Sequence, residues 1–119
     1  MLFERYSFVR ITTLDLDRAR GFWVRALGFP VIEEMTGHFF IVDAAGLRLC
    51  VDLAERDMHK PGGPDSAIGF KVRSISDAIR NLASGGLLRG DERPEKGERG
   101  NYITLRDPDG RAVIITEAD

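Results

Sequence analysis

Apolar and polar positions alternate from Tyr6 to Thr13, with Val9 and Ile11 on one side and Phe8, Arg10 and Thr12 on the other, which predicts a strand with one face turned to a core. The period then changes. Asp15 is placed as a helix N-cap, Leu16, Ala19, Trp23, Ala26 and Leu27 recur at helical spacing, and Gly28 supplies a left-handed stop. Val31–Met35 and His38–Val42 read as strands joined by the tight turn Thr36-Gly37, and the turn Asp43–Gly46 leads into a further strand, Leu47–Leu53. Residues 1–53 therefore predict a βαβββ module.

The segment 54–66, AERDMHKPGGPDS, combines charges with Pro61-Gly62-Gly63-Pro64 and reads as a linker. Over residues 67–119 the order of elements repeats. Ala67–Val72 is a strand, and Ser74 or Ser76 caps a helix carrying Ile75, Ala78, Ile79 and Leu82 that ends at Gly85-Gly86. Leu87–Arg89, Tyr102–Arg106 and Arg111–Glu117 supply the remaining strands, separated by the charged loop Gly90–Gly100 and the turn Asp107–Gly110.

The repetition is an internal duplication. A displacement of 59 positions, from Phe8 to Ala67, lays FVRITTLDLDRA over AIGFKVRSISDA, so that Val9 meets Ile68, Ile11 meets Phe70 and Ala19 meets Ala78. The ends of the halves also match, DAAGLRLCVD over DPDGRAVIIT, which pairs Gly46 with Gly110 and Cys50 with Ile114. One alternation phase of the strands is uniformly apolar, including Leu49, Val51, Ile103, Leu105, Val113 and Ile115, as a face packed on helices requires. The opposite phase, with Arg10, Arg48, Cys50, Asp52, Lys71, Tyr102 and Ile114, is mixed, as a liganded or hydrated face requires.

Composition narrows the classes. A chain of 119 residues with 43% hydrophobic and 30% charged residues fits one ordinary globular domain. No apolar run approaches the length of about 18 residues that a spanning helix needs, so no membrane role is expected. The start, MLFERYSFVRITTL, carries no secretory pattern, and a cytoplasmic location is expected. A net charge of -2 with scattered basic residues argues against nucleic acid as a partner. The single cysteine, Cys50, reads as a small buried hydrophobe in a strand.

DLDRARGFWVRALGF after a strand, a Gly/Pro linker, a second strand and helix, and a closing DPDG before an apolar strand together resemble the vicinal oxygen chelate superfamily of glyoxalases, extradiol dioxygenases and fosfomycin- and bleomycin-resistance proteins. The resemblance spans residues 6 to 117. It implies an α+β fold of two βαβββ modules whose U-shaped mixed sheets enclose a cavity, helices outside, and it implies a homodimer. It also implies a divalent ion held by four side chains, which fall here on Phe8, Cys50, Ala67 and Ile114. Three of those have no lone pair to offer, and one thiolate does not hold an ion against water. No metal and no other cofactor is therefore expected.

The expected function is a metal-independent binding protein for a small molecule, an antibiotic among the candidates, carrying an aromatic or anionic group. Phe8, Ala67 and Ile114 would form an apolar floor beside Cys50, with Phe40 and Tyr102 for stacking and Arg10 and Arg48 for directional contacts. The alternative is an enzyme of the glyoxalase-like group using a non-standard metal site or acid and base residues drawn from Glu33, Glu34, Asp52 and Tyr102. Glu33 and Glu34 are adjacent, so they point to opposite faces and form no dyad. A third reading is an interaction module with a vestigial cavity. His38 at a hairpin end and His59 in the linker read as solvated.

Overall fold

The computed structural model describes residues 2–54 and 67–118. Its contacts divide the chain into two compact units, Met1–His59 and Lys60–Asp119. Of the linker read over 54–66, residues 55–66, with His59, lie outside the described residues, whereas Ala54 donates its N–H to the Thr13 carbonyl at 3.0 Å.

In the first unit the order is β1 (Val9–Thr13), α1 (Leu16–Arg20, continued by a π-helical segment Gly21–Ala26), β2 (Val31–Met35), β3 (Phe39–Ala44) and β4 (Leu47–Leu53). The sheet order is β1-β4-β3-β2, with β1 parallel to β4 and the other pairs antiparallel. The second unit runs β5 (Ala67–Val72), α2 (Ile75–Ser84), β6 (Glu95–Gly97), β7 (Gly100–Arg106) and β8 (Ala112–Glu117), and its sheet order is β5-β8-β7-β6 with β5 parallel to β8. The fold is α+β, with two four-stranded mixed sheets.

The register carries the duplication. Val9 pairs with Leu49 in one sheet and Ile68 with Val113 in the other, and both pairs are related by the displacements that align the two halves. In each unit the helix covers one face of its own sheet, α1 on β4 and α2 on β7 and β8. That face takes the apolar phase: Leu49, Val51 and Val113 are fully buried, and Ile103, Leu105 and Ile115 nearly so. Each contributes about 1.5–3 kcal/mol by leaving water. Val9, expected on the core side, and Leu53, on the same alternation phase as Leu49 and Val51, are exposed, because both lie at strand ends.

Asp15 caps α1 by accepting from the Arg18 N–H at 3.1 Å. Beyond Arg20 the hydrogen bonds lengthen in sequence, Leu27 N–H reaching the Phe22 carbonyl at 2.9 Å. The widened turn lets two consecutive residues, Phe22 and Trp23, both enter the core. A regular helix would turn them about 100° apart. Gly28 then takes φ +80, as its stop role demands.

Ser74, not Ser76, caps α2, accepting from the Asp77 N–H at 3.2 Å. Ile75, Ile79 and Leu82 form its buried stripe.

Several elements differ from the sequence expectation. The first strand begins at Val9 and the third at Phe39. Leu87–Arg89 is not a strand: the Leu87 N–H closes the helix end on the Leu82 carbonyl at 2.9 Å while Gly86 bonds Ala83 at 3.0 Å, so Leu87 serves a Schellman cap. The missing strand is Glu95–Gly97, inside the segment read as a charged loop, where it pairs Gly97 with Gly100. The last strand starts at Ala112, Arg111 being held in the preceding turn.

Candidate functional site

The face of each sheet turned away from its helix is built by the opposite phase, and the two units fill it differently. In the first, Arg10 stands level with Cys50, and Cys50 lies opposite Ile41. Arg10 Nε donates to Asp52 Oδ2 at 2.5 Å, and Arg48 Nη2 donates to Glu33 Oε2 at 3.2 Å. Both arginines expected to meet a ligand are thus occupied by carboxylates of their own sheet. The Tyr6 hydroxyl donates to the Gly46 carbonyl at 2.9 Å and accepts from the Arg48 N–H at 3.0 Å, tying the segment before β1 to the start of β4. Phe8, one residue ahead of β1, is half-exposed.

Phe40 does not belong to this face. Its register partner is Val51, so its ring lies on the helix side, fully buried, with the Arg20 guanidinium 4.8 Å above the ring centre. Arg20 also donates to Glu34 at 2.6 Å. Stacking on a ligand is thereby withdrawn from Phe40, because antiparallel partners share a face and Val51 is core. Glu33 and Glu34 do point to opposite faces, one bonded to Arg48 and the other to Arg20.

Cys50 is buried. Burial, reinforced by the Asp52 carboxylate two residues on, pushes its thiol up, with Arg10 opposing. It is expected to react with iodoacetamide at pH 8 several-fold more slowly than the same cysteine in urea. Equal alkylation rates, followed by mass spectrometry, would contradict this.

In the second unit the open face bears a cavity of about 630 Å³, within the range of small-molecule sites. Ala67, Gly69, Lys71, Tyr102, Ile114 and Thr116 line it, with the 97–100 turn at its edge. The register arranges them in rows across the sheet: Ala67 with Ala112 and Arg106, Gly69 with Ile114 and Thr104, and Lys71 with Thr116, Tyr102 and Glu95. Of the lining residues, Ala67, Gly69 and Ile114 make one end small and apolar, and Lys71, Thr116 and Tyr102 make the other polar. The Tyr102 ring lies against Gly97, where an added Cβ would stand 3.0 Å from the ring. A hydrogen bond from the Tyr102 phenol to the Glu95 carboxylate pushes its pKa up.

Three of the expected ligand contacts, Ala67, Tyr102 and Ile114, therefore meet in one cavity. Phe8, Arg10, Arg48 and Cys50 belong to the first unit. Lys71, Gly69 and Thr116 were missed as site residues, although their place on the mixed alternation phase was a signal for them. His38 is exposed at its hairpin end.

The residues do not fit the metal that the scaffold implies. Phe8, Ala67 and Ile114 have no donor atom, and the Cys50 thiol is held toward its protonated form. Among the described residues no three of His, Cys, Asp and Glu gather as a ligand set. No helix among them is long and apolar enough to cross a membrane.

Residues 5–115 match the family model described as Glyoxalase/Bleomycin resistance protein/Dioxygenase superfamily. No curated protein matches the chain in sequence. Among solved structures, a glyoxalase family protein from Enterococcus faecalis superimposes with TM-score 0.76 at 22% identity, covering 97% of this chain and 98% of that one. A fosfomycin resistance protein from Listeria monocytogenes gives TM-score 0.74 at 17% identity, over 98% of this chain and 95% of its own. A bleomycin-binding protein in complex with bleomycin gives TM-score 0.72 at 19% identity, over 97% and 99%.

Proposed function

The chain belongs to the Glyoxalase/Bleomycin resistance protein/Dioxygenase superfamily, and from that premise we propose that it binds a small molecule without metal and does not transform it. The observation that carries this reading is Ile114. It occupies the middle of β8, in the cavity wall beside Gly69, where the resemblance implies a carboxylate ligand. A branched alkyl side chain there offers apolar contact and no charge for an ion.

Acid–base chemistry finds no support in the same residues. Tyr102, bonded to Glu95, is held protonated, and Glu33 and Asp52 are each engaged by an arginine. The solved bleomycin-binding and fosfomycin resistance proteins make antibiotics the first ligands to try. Homodimer formation and a cytoplasmic place are proposed on family grounds alone.

Zinc, iron, manganese and nickel should be measured in protein purified from cells, beside thermal unfolding with bleomycin and with fosfomycin. Substoichiometric metal and a Tm raised by a ligand are expected, since a ligand at 100 times its Kd adds about 2.7 kcal/mol to stability. Near-stoichiometric metal surviving dialysis would overturn the reading.

A further inference from the structure

We propose that Lys71 is the anion-recognising residue of the second unit's cavity, and that the occupant is a small aromatic carboxylate with its ring over Ile114 and against Tyr102 and its carboxylate at the Lys71 ammonium. The inference rests on the small-molecule binding reading and gives it a ligand class.

Charge pairing separates Lys71 from the arginines. On the first unit's open face Arg10 and Arg48 are neutralised by Asp52 and Glu33. The displacement that aligns Cys50 with Ile114 places Thr116 where the first unit has Asp52. Thr116 is also the register partner of Lys71, so the strand beside Lys71 presents a hydroxyl and no acid. Among the described residues no carboxylate lies within ion-pair distance of Lys71 or of Arg99 at the cavity's edge. The lining holds two cations, Lys71 and Arg99, against the single carboxylate of Glu98; Glu95, which accepts from Tyr102, stands outside the lining at the far end of the row from Lys71. Such a cavity favours an anion.

Shape favours a flat ring beside that anion. Gly69 has no positive φ, so the backbone does not require glycine, and a Cβ built there meets only the Ile114 carbonyl oxygen at 3.8 Å. The effect of glycine at this place is to leave the floor bare in the row that also holds Ile114. The Tyr102 ring, held by Gly97 and by Glu95, supplies a fixed aromatic wall next to the cationic end.

The test is calorimetric titration of the full chain with 2-naphthoate and with its neutral isostere 2-naphthamide. The carboxylate is expected to bind about tenfold more tightly, the scale of one charge-assisted contact at a half-open site. Lys71→Gln should abolish that preference, Lys71→Arg should keep it, and Gly69→Val should weaken both probes by filling the floor. Equal binding of the two probes, binding of neither, or a preference unchanged in Lys71→Gln overturns the assignment. None of those results touches the metal-free binding reading, which stands or falls on the metal content and the antibiotic titrations.

Discussion

Asp107→Ala is expected to lower the stability of the chain by about 3–5 kcal/mol, the cost of breaking a buried ion pair from one side. The Asp107 side chain is fully buried, and that of Arg111 is 8% exposed. One carboxylate does three things there. It accepts the Arg111 Nη1 at 2.5 Å, the Arg111 backbone N–H at 2.8 Å and the Asp109 N–H at 3.0 Å. The turn it closes also bonds Asp107 N–H to the Arg111 carbonyl at 2.9 Å and sets Gly110 at φ +85. Alanine forfeits all three side-chain bonds and removes the charge facing the guanidinium. Asp107→Asn keeps Oδ1 as acceptor for the two backbone N–H groups but loses the charge and puts an amide N–H donor where Oδ2 accepts from Arg111, so its urea midpoint should fall between those of the parent and of Asp107→Ala. Because β8 begins at Ala112, directly after Arg111, and carries Ile114, Asp107→Ala should also weaken binding in the cavity. Equal midpoints for the parent and Asp107→Ala in urea unfolding followed by circular dichroism would refute this account.

The duplication was legible because register and repeat are the same information. Once Val9 is laid over Ile68 and Cys50 over Ile114, the parallel pairing of first and last strand in each unit follows, and the alternation phase says which face is core. A slip of one residue would exchange Leu49 for Arg48 in that core. Cavity residues on the second unit's strands, Ala67, Tyr102 and Ile114, were legible for the same reason. Phe40 was not, because its face depends on an antiparallel register set by the turn Asp43–Gly46, and an aromatic residue suits either face. Nor was the pairing of Arg10: Asp52 is 42 residues away and reaches it only through the parallel ladder. Lys71 became distinctive only by comparison, since a cation without an ion-pair partner among the described residues is visible once its counterparts are seen to be paired. The short strand Glu95–Gly97 lacks apolar residues altogether, so no hydrophobic period could announce it; the glycines flanking Glu98-Arg99 were the available signal.

Trp23→Ala should cost about 3–5 kcal/mol and is the substitution expected to damage the first unit most. The side chain has no exposed surface. Its ring meets Phe22 edge-on, centroids 5.0 Å apart, and stacks on Phe29 at 6.4 Å, while its carbonyl accepts the Phe29 N–H at 3.2 Å across the π-helical segment. The largest side chain in the core thus sits where the helix is widened, so alanine would leave a void that its neighbours close only partly. Trp23→Phe retains an aromatic partner for Phe22 and Phe29 and should lose less. As the chain has a single tryptophan, its fluorescence is absent from both variants, and urea unfolding must be followed by circular dichroism. If Trp23→Ala unfolds at the same urea concentration as the parent, the widened helix is not organised around this side chain. If Trp23→Phe is the more damaging of the two, the indole's loss of volume is not what sets the cost.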